Sequence, residues 1–162
     1  MVRILGVDPG SHRTGYGVIA QDGGNVRYAA SGVIRPPTGA GRFDRLRVIF
    51  EEIRRVIEKE KPNQFAIEDV FYSRNARSSL VLGEARGAAI LAATMADLPV
   101  AEYSPREVKL SVTGNGAAHK SQVKFMLGRI LGLEPPPESE DESDALAIAM
   151  CHAFREKQWS PV

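Results

Sequence analysis

The chain has 162 residues, a length that suits one domain with a single sizeable hydrophobic core. Its composition, 43% hydrophobic and 25% charged with a formal net charge of +1, is typical of a globular protein and excludes a strongly basic or acidic one. No apolar run approaches the roughly 20 residues that a membrane helix needs, and the sequence does not begin with a signal-peptide pattern. We therefore expect a cytoplasmic protein without membrane contacts.

The first 34 residues predict three strands in an antiparallel meander. Residues 3–8, 15–20 and 25–34 have the residue pattern of strands. Two turn signals, Pro9-Gly10-Ser11 and Asp22-Gly23-Gly24, separate these strands.

Helices and strands alternate in the rest of the chain. The spacing of apolar residues predicts a first helix over residues 41–60 and a last helix over 140–156. Between them we expect, in order, a strand, a helix, a strand, a helical turn and a helix, at residues 65–68, 76–96, 99–103, 105–112 and 121–133. This pattern predicts an α/β fold in which helices pack on the faces of a mixed sheet. We assign residues 1–157 to one domain and residues 158–162 to a flexible tail.

Four of the predicted helices supply expected core or interface residues. The inward stripe of the first helix consists of Phe43, Leu46, Ile49, Phe50, Ile53, Val56 and Ile57. The inward stripe of the helix over 121–133 consists of Val123, Met126, Leu127, Ile130 and Leu131. Cys151, the single cysteine, is expected to be a small core residue. Gly83 and Gly87 each cost about 1 kcal/mol relative to alanine inside a helix, so another backbone is expected close to them. That backbone belongs either to the sheet or to the same helix of a second subunit.

Four carboxylates stand where an α/β fold places active sites. Asp8 and Glu68 each end an otherwise apolar strand, and adjacent parallel strands would bring the two side chains within about 5 Å of each other. Asp141 and Asp144 are three residues apart in the last helix and therefore share one face. Taken singly, Asp8 before Pro-Gly is a turn former and Asp141 is a favourable acid in the first turn of a helix. Separate local roles for all four acids are a weaker explanation than one shared site.

Carboxylates that converge repel one another, so either their pKa values rise or a divalent cation compensates their charge. Ligands that are all oxygen suit Mg²⁺ or Mn²⁺ and argue against zinc. Two such ions would activate a water and stabilise the leaving oxygen in the hydrolysis of a phosphodiester.

Five segments give the chain a family resemblance: GVDPGSHRTGYGVI, FAIEDVF, LGEARGAAI, KSQV and DALAIA. They run in order from residue 4 to about 153, and together they resemble the RuvC family of Holliday-junction resolvases. These nucleases belong to the RNase H-like superfamily. The resemblance implies an RNase H-like fold with a mixed five-stranded sheet and helices on both faces. It also implies a metal-binding tetrad at Asp8, Glu68, Asp141 and Asp144. Glu140 and Glu142 stand as alternatives for the third ligand.

The activity that the resemblance implies is the resolution of four-way DNA junctions in recombination and repair. A homodimer would nick two opposing strands in a Mg²⁺-dependent hydrolysis, with Mn²⁺ as a substitute and two ions per site, leaving 5′-phosphate and 3′-hydroxyl ends. The partners implied are the junction and the branch-migration complex RuvA–RuvB, in the bacterial cytoplasm. The DNA contacts implied or expected are Phe71, Arg74, Arg77, Lys109, Lys120 and Lys124.

Three other functions compete with this interpretation. A sugar-kinase or actin-like ATPase also has a strand-end aspartate followed by glycines, but its two lobes need more than 162 residues. Another RNase H-like nuclease with a different substrate is a closer alternative. A junction-binding module without catalysis would leave the four acids unexplained, because carboxylates repel phosphate unless a metal bridges them.

Overall fold

A five-stranded mixed sheet forms the centre of the fold. The structure, a computed structural model, describes residues 1–69 and 74–158, with side chains as far as Glu156. The strands are β1 Val2–Asp8, β2 Thr14–Asp22, β3 Asn25–Ile34, β4 Gln64–Glu68 and β5 Val100–Tyr103. The helices are α1 Arg42–Glu60, α2 Ala76–Thr94, α3 Pro105–Thr113, α4 Lys120–Leu131 and α5 Glu140–Gln158.

The strand order across the sheet is β3-β2-β1-β4-β5. The first three strands pair antiparallel, which confirms the predicted meander, and β4 and β5 run parallel to β1. The sheet is therefore mixed, as expected. Because β1 and β4 are parallel neighbours, their carboxyl ends meet at the same edge.

Alternating side chains of the strands enter two hydrophobic clusters, one on each face of the sheet. Ile4 and Ile19 pack on one face with Leu146 and Met150 of α5, and α3 and α4 cover the same cluster. The other face carries Leu5, Val7, Val18, Phe65 and Ile67, which pack against α1 and α2. Helices thus cover both faces, and Cys151 is fully buried as predicted.

Two predicted core residues are exposed. Phe43 of α1 is 76% exposed, because the part of this helix that packs on the core begins at Leu46. Ile130 of α4 is 36% exposed, because the buried stripe of that helix follows Val123 and Leu127 and leaves Ile130 beside it. Among the described residues, no helix is long and apolar enough to span a membrane.

Glycines in β1 and β2 allow α5 to lie directly on the strands. A Cβ atom at Gly15 would lie 2.1 Å from the carbonyl oxygen of Asp141, and one at Gly6 would lie 2.2 Å from that of Ala145. Real Cβ atoms do not approach an oxygen so closely, so only glycine fits while the helix keeps this position. The first turn of α5, which carries Asp141 and Asp144, is held close to the end of β1 in this way.

Gly15→Ala is expected to push the first turn of α5 away from the sheet. The added methyl group overpacks a rigid backbone contact, which costs about 1–3 kcal/mol of the free energy of unfolding. Urea unfolding measures this cost, with Gly41→Ser as the control, since a Cβ at Gly41 meets only Asp44 Oδ2 at 3.7 Å. Equal stability of the two variants would contradict the role of Gly15.

Candidate active site

Asp8 and Glu68 meet at the carboxyl edge of the sheet. In the parallel pairing of β1 with β4, Val7 lies opposite Ile67, and each of these is followed by one of the two acids. Both side chains are partly buried. The sequence prediction that two strand-end acids become neighbours is thereby confirmed at the level of strand pairing.

The first turn of α5 brings three consecutive acids and Asp144 to the same edge. Asp141 and Asp144 are partly buried, whereas Glu140 is exposed. Glu142 accepts a hydrogen bond from Ser31 Oγ at 2.9 Å, so this carboxylate is engaged with β3. The face of the helix that continues from Asp144 is buried through Ala145, Ile148 and His152, as the sequence predicts.

A cavity of about 770 Å³ contains all four predicted acids. Its lining residues are Asp8, Arg13, Arg35, Glu68, Lys120, Glu138, Ser139, Glu140, Asp141, Glu142 and Asp144. Most of the lining side chains are carboxylates, and three are cationic. The cavity is therefore a polar cleft at the sheet edge, where ligands of α/β folds commonly bind.

Burial and mutual repulsion raise the pKa values of Asp8, Glu68 and Asp144. Burial, reinforced by Asp144, Glu68 and Asp141, raises the pKa of Asp8 from 3.8 to about 7. Burial and then the charge of Asp144 raise the pKa of Glu68. Burial also raises the pKa of Asp144, and this effect outweighs the opposing effect of Lys120. A group of acids whose pKa values are raised by burial and mutual repulsion is the electrostatic signature of a site that takes up positive charge.

Cations already contact two of the acids. Lys120 Nζ lies 3.2 Å from Asp144 Oδ2, and Arg13 Nε lies 3.5 Å from Asp141 Oδ2. Lys109 of α3 also acts on the site, because its charge, like that of Lys120, lowers the pKa of Glu68. Lys109 and Lys120, both predicted from the sequence, are thus close to the acidic cluster.

The donor set of the cavity fits a hard divalent cation. The four acids offer only oxygen ligands, which Mg²⁺ and Mn²⁺ prefer. Within residues 1–69 and 74–158, however, no three acid, histidine or cysteine side chains are placed so that they could hold one metal ion. Two of the four acids instead pair with Lys120 and Arg13.

The other predicted DNA-binding residues lie in different places. Arg77 lines a separate cavity of about 380 Å³ beside Ser11 and His12. Arg74 is exposed before α2, and Lys124 Nζ donates to the carbonyl oxygen of Glu138 at 3.3 Å. Phe71 lies outside the described residues.

Sequence reasoning missed two cationic residues of the cavity, Arg13 and Arg35. Arg13 is the last residue of the turn between β1 and β2, and Arg35 directly follows β3. A signal for Arg13 was available: a short hairpin returns its last turn residue to the edge where Asp8 ends β1. No comparable local signal pointed to Arg35, because the packing of α5 beside β3 is a long-range feature.

Comparison with known proteins decides the family. The family model described as "Crossover junction endodeoxyribonuclease RuvC" matches residues 4–152. The chain belongs to the RuvC family. Its curated relatives include the RuvC proteins of Idiomarina loihiensis, 52% identical with 94% of this chain and 88% of the relative covered, and of Teredinibacter turnerae, 51% identical with the same coverage.

A solved structure of the same family supports the fold assignment. The structure of Thermus thermophilus RuvC in complex with a Holliday junction substrate superimposes with a TM-score of 0.92 at 33% identity. It covers 98% of this chain and 96% of that chain. The expected α/β, RNase H-like architecture of the RuvC family is therefore confirmed, together with membership of a family of crossover junction endodeoxyribonucleases, which are hydrolases.

Proposed function

We propose that this member of the RuvC family resolves four-way DNA junctions in recombination and repair. It hydrolyses one phosphodiester bond in each of two opposing strands and leaves 5′-phosphate and 3′-hydroxyl ends. The observation that carries the proposal is the cavity in which Asp8, Glu68, Asp141 and Asp144 meet at the sheet edge. The T. thermophilus relative in complex with a Holliday junction supports the choice of substrate.

The four acids are the proposed ligands of the divalent cation that membership of this nuclease family implies. Asp141 is preferred as the third ligand because its charge acts on Asp8, whereas Glu142 is bound to Ser31 and Glu140 is exposed. We assign Mg²⁺, with Mn²⁺ as a substitute and two ions per site. Bound ions of this kind activate a water and stabilise the leaving oxygen. Coordination of a cation by Asp141 and Asp144 would weaken their ion pairs with Arg13 and Lys120, because the cation neutralises the carboxylate charge.

The side chains of the chain itself position the substrate. Lys109 and Lys120 lie close enough to the acids to influence Glu68, so a phosphate drawn to them would lie over the cluster. Arg74, Arg77 and Lys124 are proposed to bind the DNA backbone farther out, and Phe71 is proposed to stack on a base at the junction. Each phosphate contact adds about 0.9 to the salt dependence of duplex binding.

Lys120→Ala is expected to reduce cleavage about tenfold to a hundredfold, because a charge-assisted hydrogen bond to phosphate contributes about 1.5–3 kcal/mol. Stability should change little, since an ion pair this exposed contributes about 0–1 kcal/mol. Single-turnover cleavage and urea unfolding, measured side by side, check both statements. A variant that unfolds more readily but cleaves at the normal rate when folded would contradict the role.

A homodimer is proposed to match the two-fold symmetry of the junction, and the outer face of α2 is its proposed contact. Leu80 and Leu91 are 58% and 53% exposed on this helix. Between them stand Gly83 and Gly87, at which an added Cβ would meet no atom within 4 Å. These four residues follow helical spacing and form one apolar stripe on which a second backbone can approach closely.

Leu91→Glu is expected to weaken the dimer about tenfold to a hundredfold, because burying a polar group without a partner costs about 1–3 kcal/mol or more. Sedimentation equilibrium of the wild type should give twice the monomer mass, and the variant should shift towards the monomer. Phe125→Glu is the matched control, since Phe125, at 63%, is at least as exposed as Leu91 but lies on α4. A monomeric wild type, or an unshifted Leu91→Glu variant, would exclude this interface.

The direct test of the function uses a synthetic immobile four-way junction with labelled arms. We expect paired, symmetric nicks on the junction in Mg²⁺ or Mn²⁺, none in EDTA, and little cleavage of a linear duplex. Equal nicking of the duplex would indicate an RNase H-like nuclease with another substrate. Tight junction binding without cleavage, on junctions of several crossover sequences, would indicate a binding module.

The cellular setting follows from the same proposal. We assign the chain to the bacterial cytoplasm, to one nuclease domain over residues 1–157 and to joint action with the branch-migration complex RuvA–RuvB. Co-purification of the tagged chain with that complex on junction DNA tests the last assignment.

A further inference from the structure

Arg13 holds one of the proposed metal ligands. Its Nε lies 3.5 Å from Asp141 Oδ2, while its side chain is 64% exposed and lines the active-site cavity. An ion pair this open to solvent contributes little to stability. Stabilisation of the fold therefore does little to explain why an arginine occupies this position.

The backbone of Arg13 is fixed although its side chain is free to turn. The neighbouring Thr14 is fully buried, and its Oγ1 donates to the carbonyl oxygen of Gly10 at 2.8 Å. Gly10 also packs tightly against Arg13, since an added Cβ there would lie 2.3 Å from the Arg13 carbonyl oxygen. The base of the side chain thus has a fixed position at the cavity that Asp8 also lines, and the long side chain can reach different acceptors from it.

A divalent cation bound to Asp141 would neutralise much of the carboxylate charge and so weaken the ion pair with Arg13. Resting on the function proposed above, we propose that Arg13 is a phosphate-binding residue that becomes available only when Asp141 coordinates a metal ion. In the metal-free protein Asp141 retains the guanidinium. In the metal-loaded protein the guanidinium turns to the non-bridging oxygens of a DNA phosphodiester at the cavity, whose geometry its planar fork matches.

The test compares the salt dependence of junction binding for the wild type and Arg13→Ala, in EDTA and in Ca²⁺, which also takes oxygen ligands. Denaturing gels after each titration confirm that the junction is intact. In Ca²⁺ the slope of log K against log salt should be shallower for the variant by about 0.7–0.9, the loss of one phosphate contact. In EDTA the two slopes should agree.

Arg54→Ala is the matched control, because Arg54 is an exposed arginine on α1 that also pairs with an acid, Glu58, at 3.2 Å. It should have the wild-type slope under both conditions. Equal slopes for Arg13→Ala and the wild type in Ca²⁺ would overturn the proposal, and so would an equal loss in EDTA and Ca²⁺. Failure of the wild type to prefer the junction to duplex is a different result, which overturns the proposed function and this inference with it.

Discussion

Asp8→Asn is expected to reduce junction cleavage about a thousandfold or more while the protein still folds and binds the junction. Metal ions contribute several kcal/mol of transition-state stabilisation, and each 1.36 kcal/mol corresponds to a factor of ten in rate. Asparagine keeps the shape of the side chain but removes the charge that holds a cation. It also removes the repulsion among Asp8, Glu68 and the two acids of α5, so no loss of stability is expected.

Single-turnover cleavage and junction binding, measured on the same preparation, check this result. Asp97→Asn is the matched control: Asp97 lies in a turn after α2, and its backbone φ of 57° is one that asparagine tolerates. The control should cleave as fast as the wild type. Near-normal cleavage by Asp8→Asn would show that this carboxylate is not a metal ligand of the reaction.

The metal-free protein is expected to lose stability as the pH rises from 5 to 8. The pKa of Asp8 is about 7 in the folded protein, against an ordinary 3.8. Between these two values the folded state binds a proton that the unfolded state has released, so the free energy of unfolding falls with increasing pH. The loss from Asp8 is about 2–3 kcal/mol over this range, since one pKa unit corresponds to 1.36 kcal/mol.

Urea unfolding in EDTA at constant protein concentration measures this loss, and Asp8→Asn should show a smaller one. The loss of stability that remains in the variant is attributed to Glu68 and Asp144, whose pKa values are also raised. Added Mg²⁺ should restore stability to the wild type at pH 8, because an ion that binds only the folded state stabilises it. His152, whose pKa is lowered by burial, contributes in the opposite direction, so the comparison of the two proteins is decisive. A change with pH that is the same in the wild type and in Asp8→Asn would contradict the electrostatic description of the cluster.

The parts of the site that follow from local patterns could be predicted from the sequence. Asp8 and Glu68 end apolar strands, and α/β folds place strand ends at one edge. The spacing of Asp141 and Asp144 puts them on one helical face. The RuvC-like segments then implied that these four acids form one metal-binding tetrad. The comparison with known proteins confirmed the family.

The features of the fold and the site that could not be predicted depend on long-range packing. That Gly15 touches the backbone of Asp141 depends on the position of α5 over β2, which no local pattern encodes. Phe43 has the right helical spacing for the core, but α1 extends beyond the part of the fold that it covers. Arg13 was overlooked because an arginine in an exposed turn is usually solvated, and only the three-dimensional structure shows the acid opposite it.

The most direct test of the metal site is anomalous diffraction from crystals grown with Mn²⁺. We expect an anomalous peak in the cavity, bound by oxygen atoms of Asp8, Glu68 and at least one of Asp141 and Asp144, with Lys120 or Arg13 displaced from its acid. The same peak should be absent from crystals of Asp8→Asn. An empty cavity in the wild type at saturating Mn²⁺, or a peak bound only by residues outside this cluster, would contradict the assignment.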